Sequence, residues 1–302
     1  MVIDYKLDPE TGSYLGEKFN HFLPNALLIK PVIEYFVSHP ELLWWKLLIF
    51  TLVEAVVGLA LMLGFMTRLA GLAVSGLALG ILLGAGWLGT TCLDEWQIGI
   101  LGIAAGLAFF FAGGGRYSID YQLREKKVHP LLAFTWTTDN TLFARFGKIS
   151  LIVGIAVFAL SLGTNQYFHG GVWGTLHNKS VKPKFEIREV TLEPGGVSAE
   201  FMRVEGPDVY GSFAVECRVL DDTGNPVATW DAEALAATSP DDIRNAYVAK
   251  VKPGERSLIF PLGARARVLF RNPTLGDLAP GDYEIELTDV SGFSWRAPLM
   301  IN

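Results

Sequence analysis

The residues most able to carry out chemistry lie in one short segment, 84–97, which reads GAGWLGTTCLDEWQ. Asp94 is followed three positions later by Gln97, a capping-box pattern which predicts that a helix begins here. Cys92 lies two residues before that cap, where the positive end of the helix would favour its thiolate form and a bound anion. The segment therefore predicts a nucleophilic thiol beside an anion site. A small residue in a tight turn would also explain Cys92.

A second candidate is Glu54, which lies near the middle of the first long apolar stretch. An ionisable group at that depth costs on the order of 3 kcal/mol unless it faces a partner or a cavity. Its carboxyl could pass protons to or from a membrane-bound redox carrier, because loss of water favours the protonated form. A neutral acid that only bridges helices is the alternative. Lys46, nearer the outer end of the same stretch, is typical of a side chain that snorkels to the interface.

The second cysteine, Cys217, allows a redox disulfide with Cys92, because disulfides persist outside the cytoplasm. The alternation of Phe213, Val215, Cys217 and Val219 favours a different interpretation. These residues share one face of a strand, so we expect Cys217 to lie in an apolar core as a small hydrophobic residue.

The histidines show no metal-ligand spacing, so we expect no metal centre. They are His21, His39, His129, His169 and His177. A basic stretch lies after the last apolar segment and contains His177, Lys179, Lys182, Lys184 and Arg188. It would bind lipid headgroups or draw a small anion toward Cys92.

Four apolar stretches in the first half of the chain must position these residues. They are 43–65, 69–88, 96–113 and 149–165. Each approaches the 17 to 25 residues that a helix needs to cross about 30 Å of hydrocarbon. A bundle of soluble helices would need polar faces that these stretches lack.

The mean hydropathy of the 302-residue chain is +0.32 and its net charge is −6. That charge excludes a general nucleic-acid partner.

The distribution of basic residues predicts the orientation in the cell membrane. Loop 114–148 contains Arg116, Arg124, Lys126, Lys127, Arg145 and Lys148. By the positive-inside tendency this loop is cytoplasmic, which places segment 84–97, residues 1–42 and everything after the fourth stretch outside. Trp44, Trp45, Trp87 and Trp96 lie at the predicted outer ends. Because a polar segment of 42 residues precedes the first stretch, we expect a further helix upstream in the natural chain.

The second half changes to short alternating segments separated by turns, a pattern typical of strands. The candidates are 185–192, 197–204, 212–220, 257–262, 264–270, 283–288 and 293–301. Seven strands predict an immunoglobulin-like sandwich, with a helical turn or loop at 231–244. We therefore expect an outer amphipathic segment at 1–42, a four-helix transmembrane bundle at 43–166 and an extracytoplasmic β-sandwich at 167–302.

Four runs of sequence carry a family resemblance: KFNHFLPNALLIKPVIEYFVSHPEL at 18–42, LGFMTRLAGL at 63–72, GAGWLGTTCLDEWQIG at 84–99 and GGGRYSID at 113–120. With GGVWGTLHNKSVKP at 170–183, the chain resembles thiosulfate:quinone oxidoreductases in which a DoxD-like membrane part, related to DoxX proteins, is fused to a DoxA-like part. The sandwich is the weaker match.

The resemblance implies oxidation of two thiosulfates to tetrathionate outside the cytoplasm, with two electrons passed to membrane quinone and no flavin or haem. Cys92 would form a sulfur adduct with thiosulfate that a second thiosulfate resolves. Glu54 or Glu95 would handle quinone protons, and Trp87 or Trp96 would line the quinone pocket. The substrate-binding residues would be Asp94, Trp96, Trp87, Lys46, His21, His177 and Lys179.

Two other interpretations stay open at this point. The bundle could be a non-catalytic anchor or assembly subunit whose sandwich binds a partner, because sandwiches serve many binding functions. Alternatively, the enzyme could oxidise sulfite, a persulfide or an organic thiol. The sequence does not decide whether the chain forms a homo-oligomer.

Overall fold

The computed structural model describes residues 6–8, 15–85, 95–123, 140–169, 173–174, 182–206 and 212–301. The chain divides into two compact units. The helical unit comprises residues 1–3, 26–29 and 44–179, and the sandwich unit comprises residues 4–25, 30–43 and 180–302. Most of the segment before the first apolar stretch therefore belongs to the same unit as the C-terminal strands.

The N-terminal half is helical. Its helices are α1 (Leu15–Phe22), α2 (Lys30–Val37), α3 (Pro40–Leu63), α4 (Thr67–Ala85), α5 (Glu95–Ala112), α6 (Ile119–Leu123) and α7 (Asn140–His169). Each of the four predicted apolar stretches coincides with one of the helices α3, α4, α5 and α7.

Two of these helices, α3 and α4, are long and apolar enough to cross a membrane. In α3 only 6% of the most apolar window is buried, whereas the core helix of a soluble protein would be covered by its neighbours. Side chains such as Val56, Leu59 and Met62 are exposed on it, and α7 likewise exposes Ile152 and Phe158. Exposed apolar surface of this extent is typical of helices that face lipid. Shorter apolar segments occur at Gln97–Ala112 and Leu151–Gly163, so the count of four spans remains a prediction.

Helices α4 and α5 pack through small residues. A Cβ added at Gly106 would overlap the hydroxyl of Ser75, and one added at Gly102 would lie 2.6 Å from the Cβ of Ala78. The Ser75 hydroxyl donates a hydrogen bond of 3.1 Å to the carbonyl oxygen of Ile103. Close backbone approach through glycine and a serine hydrogen bond is how helices associate in lipid, where apolar burial gives no driving force.

We expect Gly106→Ala to destabilise the helical unit by about 1–3 kcal/mol, because the new methyl group forces α4 and α5 apart. Gly76→Ala is the matched control, since a Cβ at Gly76 meets nothing within 4 Å. The control should be neutral or slightly stabilising through helix propensity. Thermal unfolding in detergent measures both variants. Equal thermal unfolding midpoints for the two variants would contradict the close packing of α4 against α5 at Gly106.

The end of the α4–α5 pair is closed by Asp120, which is 1% exposed. Its Oδ1 accepts a hydrogen bond of 2.8 Å from the amide of Met66, and its Oδ2 accepts one of 2.8 Å from the amide of Thr67. A third bond of 2.7 Å comes from the Thr67 hydroxyl. Asp120 therefore caps the start of α4 from 53 residues further along the chain.

Arg68, the residue after Thr67, is 2% exposed, and its side chain binds the C-terminal end of α5. Its Nη1 donates hydrogen bonds of 2.7 Å and 3.2 Å to the carbonyl oxygens of Phe110 and Phe111, in the last turn of α5. A cation at a helix C-terminus also interacts favourably with the helix dipole. The runs LGFMTRLAGL and GGGRYSID thus meet in one structural junction.

The C-terminal half consists of two antiparallel sheets. The strands are β1 (Lys184–Glu193), β2 (Gly196–Glu205), β3 (Ser212–Leu220), β4 (Pro226–Trp230), β5 (Ile243–Asn245), β6 (Lys252–Pro253), β7 (Leu258–Phe260), β8 (Arg265–Arg271), β9 (Gly281–Asp289) and β10 (Ser294–Ile301). One sheet has the order β1-β2-β8-β5, and the other has the order β10-β9-β3-β7-β6 with β4 paired to β3.

All seven predicted strands are confirmed, and β4, β5 and β6 were not predicted. The loop predicted at 231–244 contains helix α8 (Ala232–Ala236) and the 3₁₀ turn Pro240–Asp242. The two-sheet, all-β architecture is confirmed, whereas the immunoglobulin-like assignment stays a prediction. The core between the sheets is built around fully buried phenylalanines, including Phe201, Phe260 and Phe270.

Candidate functional site

The structure describes only some of the predicted site residues. Cys92, Asp94, Trp87, His177 and Lys179 lie outside the described residues. Glu95 and Trp96 lie in α5, but their side chains are not described. Glu54, Lys46 and His21 are described in full.

The elements on either side of Cys92 are defined. Helix α4 ends at Ala85 and α5 begins at Glu95, the residue after the predicted cap Asp94. The predicted cap itself lies outside the described residues, so the capping pattern stays a prediction. Leu27 reaches the end of α4, where its amide donates a hydrogen bond of 2.7 Å to the carbonyl oxygen of Leu83. Residues 26–29, which belong to the helical unit, are therefore bonded to α4 close in sequence to the segment that contains Cys92.

Glu54 lies on α3 and is partly buried. Thr51, one turn earlier on the same face, has a buried hydroxyl for which no hydrogen-bond partner is present among the described residues. Sequence reasoning missed Thr51, because a lone threonine in an apolar helix ordinarily bonds its own backbone. The pair gives the middle of α3 two polar side chains.

The other two described residues are Lys46, on the same helix as Glu54, and His21, in the other unit. Lys46 is exposed on α3, about 12 Å along the helix axis from Glu54 at 1.5 Å per residue. His21 belongs to α1 of the sandwich unit, where it is 7% exposed and its Nε2 lies 3.7 Å from Oε1 of Glu17. The nearby His21 ring lowers the pKa of Glu17, although partial burial acts in the opposite direction.

An apolar groove runs between α5 and α7 in the helical unit. Its volume is about 290 Å³. Its lining includes Ala104, Phe111, Val157, Phe158 and the single polar residue Ser161. A groove of this composition suits a hydrocarbon chain, because it offers shape and apolar contact with almost no hydrogen bonding.

Cys217 is fully buried in the sandwich core, as predicted. The predicted alternation is interrupted, because a register shift between Ala214 and Glu216 leaves Phe213 and Val215 only partly buried. It is a free thiol. Burial, with smaller contributions from the carboxylates of Glu216 and Glu286, raises the pKa of the Cys217 thiol far above its usual range. Cys217 is therefore protonated and inert at neutral pH.

The described part of the basic stretch is engaged within the sandwich unit. Arg188 donates a hydrogen bond of 2.6 Å to Oε2 of Glu186. The ammonium group of Lys182 lies 5.3 Å from the ring centroid of Phe293, a cation–π contact.

Family models match nearly the whole chain. Residues 1–143 match the model described as TQO small subunit DoxD, and residues 168–298 match the model described as TQO small subunit DoxA. The first match ends near the start of α7 and the second begins near its end, so most of α7 lies between the two matches. Together with the apolar helices, they assign the chain to the membrane and to a role related to thiosulfate:quinone oxidoreductase. The protein belongs to the fused DoxD/DoxA family of TQO small subunits.

Proposed function

We propose that this protein oxidises thiosulfate to tetrathionate on the outer side of the cell membrane and passes the electrons to membrane quinone. The observation that carries the proposal is the pair of family matches, at 1–143 and 168–298 in one chain. The overall reaction joins two thiosulfates to one tetrathionate while the quinone takes up two electrons and two protons.

In the proposed mechanism the Cys92 thiolate forms a disulfide-type bond with the outer sulfur of thiosulfate, giving Cys–S–S–SO₃⁻. The two electrons released by that bond formation reduce the quinone, which takes two protons to become the quinol. The outer sulfur of a second thiosulfate then attacks the sulfur that bears the SO₃⁻ group. Tetrathionate leaves and the Cys92 thiolate is regenerated, so atoms and electrons balance.

Other residues would bind and move protons. The start of α5 next to Asp94 would attract the dianion, with Lys46, His21, His177 and Lys179 as further cations. Glu54 or Glu95 would deliver protons to the quinone, and the polar pair of Thr51 and Glu54 on α3 supports the first choice. Trp87 and Trp96 would line the quinone ring. The groove between α5 and α7 would hold its apolar tail.

The composition of the sandwich unit supports an arrangement in which the segments before α3 and after α7 lie on one side of the membrane. That unit contains residues 30–43, before the first span, and residues 180–302, after the last. A folded body outside the hydrocarbon lies on one side of a membrane, so the chain between Leu43 and Ser180 would cross an even number of times. Four crossings by α3, α4, α5 and α7 meet this condition. Exposed Trp44 and Trp45 at the start of α3 fit an interface there.

The proposal is tested with the purified full chain, thiosulfate and a short-chain quinone. Loss of quinone absorbance should require thiosulfate, and tetrathionate should accumulate at one molecule per quinol. Sulfite, a persulfide and an organic thiol serve as competing donors. If one of these donors reduced quinone faster than thiosulfate does, that donor would replace thiosulfate as the proposed substrate.

A second function, a non-catalytic anchor or assembly subunit, is favoured by the description of both families as small subunits. Absence of quinone reduction with every donor would favour that role over the enzymatic one.

A further inference from the structure

The N-terminal helices α1 and α2 pack on one segment of the sandwich, residues 247–249. The amide of Val248 donates a hydrogen bond of 3.1 Å to the carbonyl oxygen of Val37. The amide of Ala249 donates one of 3.3 Å to Oδ1 of Asn20. Each of these bonds joins positions more than 200 residues apart in the chain.

The Tyr247 side chain adds a polar contact to this surface. Its hydroxyl donates a hydrogen bond of 2.7 Å to Oε1 of Glu34, and it lies 3.4 Å from Nη1 of Arg265. Arg265 is in turn 2.8 Å from Oε1 of Glu200 on β2. Burial raises the pKa of Tyr247, so the hydroxyl keeps its proton for Glu34 at neutral pH.

Burial indicates that the helices depend on this packing. Leu23 is 1% exposed, Ile33 is 2% exposed and Val37 is fully buried. Helices α1 and α2 have eight residues each, too few to be stable alone in water. Their stability must come from the apolar surface that they cover within the sandwich unit.

Gly263 fixes the closest approach. Its φ of +75° favours glycine, and an added Cβ would overlap the main-chain carbonyl oxygen of Asn20. The tight fit is main chain against main chain, so it cannot be relieved by rotating a side chain. Together, residues 20–37 on one side and 247–265 on the other form what we call the strap surface.

The strap surface joins the two family matches. Its helices lie within 1–143 and its strands within 168–298, and each match is described as a small subunit in its own right. We infer that the strap surface is a subunit-type interface, which holds the DoxD-matching part and the DoxA-matching part together without the covalent connection through residues 170–181. This inference is independent of the proposed catalysis.

The test inserts a specific protease site between Leu176 and Lys179 of the full chain, with an affinity tag at the C-terminus. After cleavage in detergent, the tagged sandwich should retain the fragment that carries α1–α7 through affinity purification and size exclusion. Separation of the two fragments in this otherwise unchanged chain would overturn the inference.

Gly263→Ala in the cleavable chain should lower the retained fraction at least about ten-fold, because the methyl group pushes Asn20 away. Gly224→Ala is the matched control, since Gly224 also has a positive φ, of +82°, but a Cβ there meets nothing within 4 Å. The control should retain the fragment, so backbone strain alone does not explain the loss. Retention by Gly263→Ala equal to that of the control would overturn the assigned surface.

Tyr247→Phe keeps the ring and removes only the hydroxyl that bonds Glu34, so it reports on the surface even if Gly263→Ala fails to fold. We expect its fragments to dissociate about five-fold more readily, the effect of one hydrogen bond that leaves a partly buried acceptor without its donor. Tyr283→Phe, whose hydroxyl bonds Ala279 within the sandwich, should match the wild type. Identical dissociation of the two variants would contradict the role of Tyr247.

Discussion

Cys92→Ser should lower thiosulfate-dependent quinone reduction at least about 100-fold. A serine hydroxyl is not ionised at neutral pH and forms no stable sulfur adduct, so the covalent route is lost. Initial rates of quinone reduction in detergent measure the effect. A variant that keeps the full rate would rule out the covalent mechanism while leaving the oxidoreductase assignment standing.

The chain supplies its own control in Cys217. Because that thiol is fully buried and its pKa is raised by burial, Cys217→Ala should leave the rate unchanged. A membrane-impermeant thiol reagent applied to intact cells should label Cys92 and spare Cys217. Labelling that needs permeabilised cells would place the thiol on the cytoplasmic side, and the proposed orientation would then be wrong.

Asp120→Ala should destabilise the helical unit by about 3–5 kcal/mol. The change leaves the amides of Met66 and Thr67 without their acceptor and removes the negative charge near the buried guanidinium of Arg68. Asp120→Asn keeps one carbonyl acceptor and should fall between the alanine variant and the wild type. Thermal unfolding in detergent, monitored on the helices by circular dichroism, measures the loss.

Asp231→Ala provides the comparison for an ordinary cap. Asp231 caps α8 at the exposed surface of the sandwich through a bond of 2.9 Å from the amide of Ala234. Its loss should cost about 1 kcal/mol, the usual value for a solvated N-cap. If Asp120→Ala lost no more stability than Asp231→Ala, then the burial and charge of Asp120 would add nothing to the stability of the helical unit beyond an ordinary cap.

Local patterns in the sequence predicted the elements well. The apolar stretches coincide with α3, α4, α5 and α7 because continuous hydrophobicity leaves a helix as the means of satisfying the backbone in lipid. The strand pattern correctly placed Cys217 and Val219 in the core, whereas the register shift between Ala214 and Glu216 leaves Phe213 and Val215 only partly buried, which alternation alone could not predict. The strand β4 was missed because its five residues, Pro226–Trp230, begin with proline and are too short for a clear alternation.

Contacts between distant parts of the chain were not predictable from local patterns. Nothing in the sequence near Arg68 indicated its bonds to the last turn of α5. The segment 1–42 was expected to stand as a separate outer region, because no periodicity links Asn20 or Glu34 to residues near 247. For the candidate site, the sequence predicted Cys92, the cap Asp94 and Glu54, whereas the buried Thr51 hydroxyl and the groove beside α7 emerge only from packing.

The bond between Asp120 and the start of α4 has a consequence for how the protein is made. Thr67 leaves the ribosome 53 residues before its acceptor does. Asp120 can reach Met66 and Thr67 only after α5 has been synthesised and has returned along α4 to the same end of the pair. During translation the amides of Met66 and Thr67 therefore lack this acceptor until α4 and α5 have packed together. The cap can form only after that step.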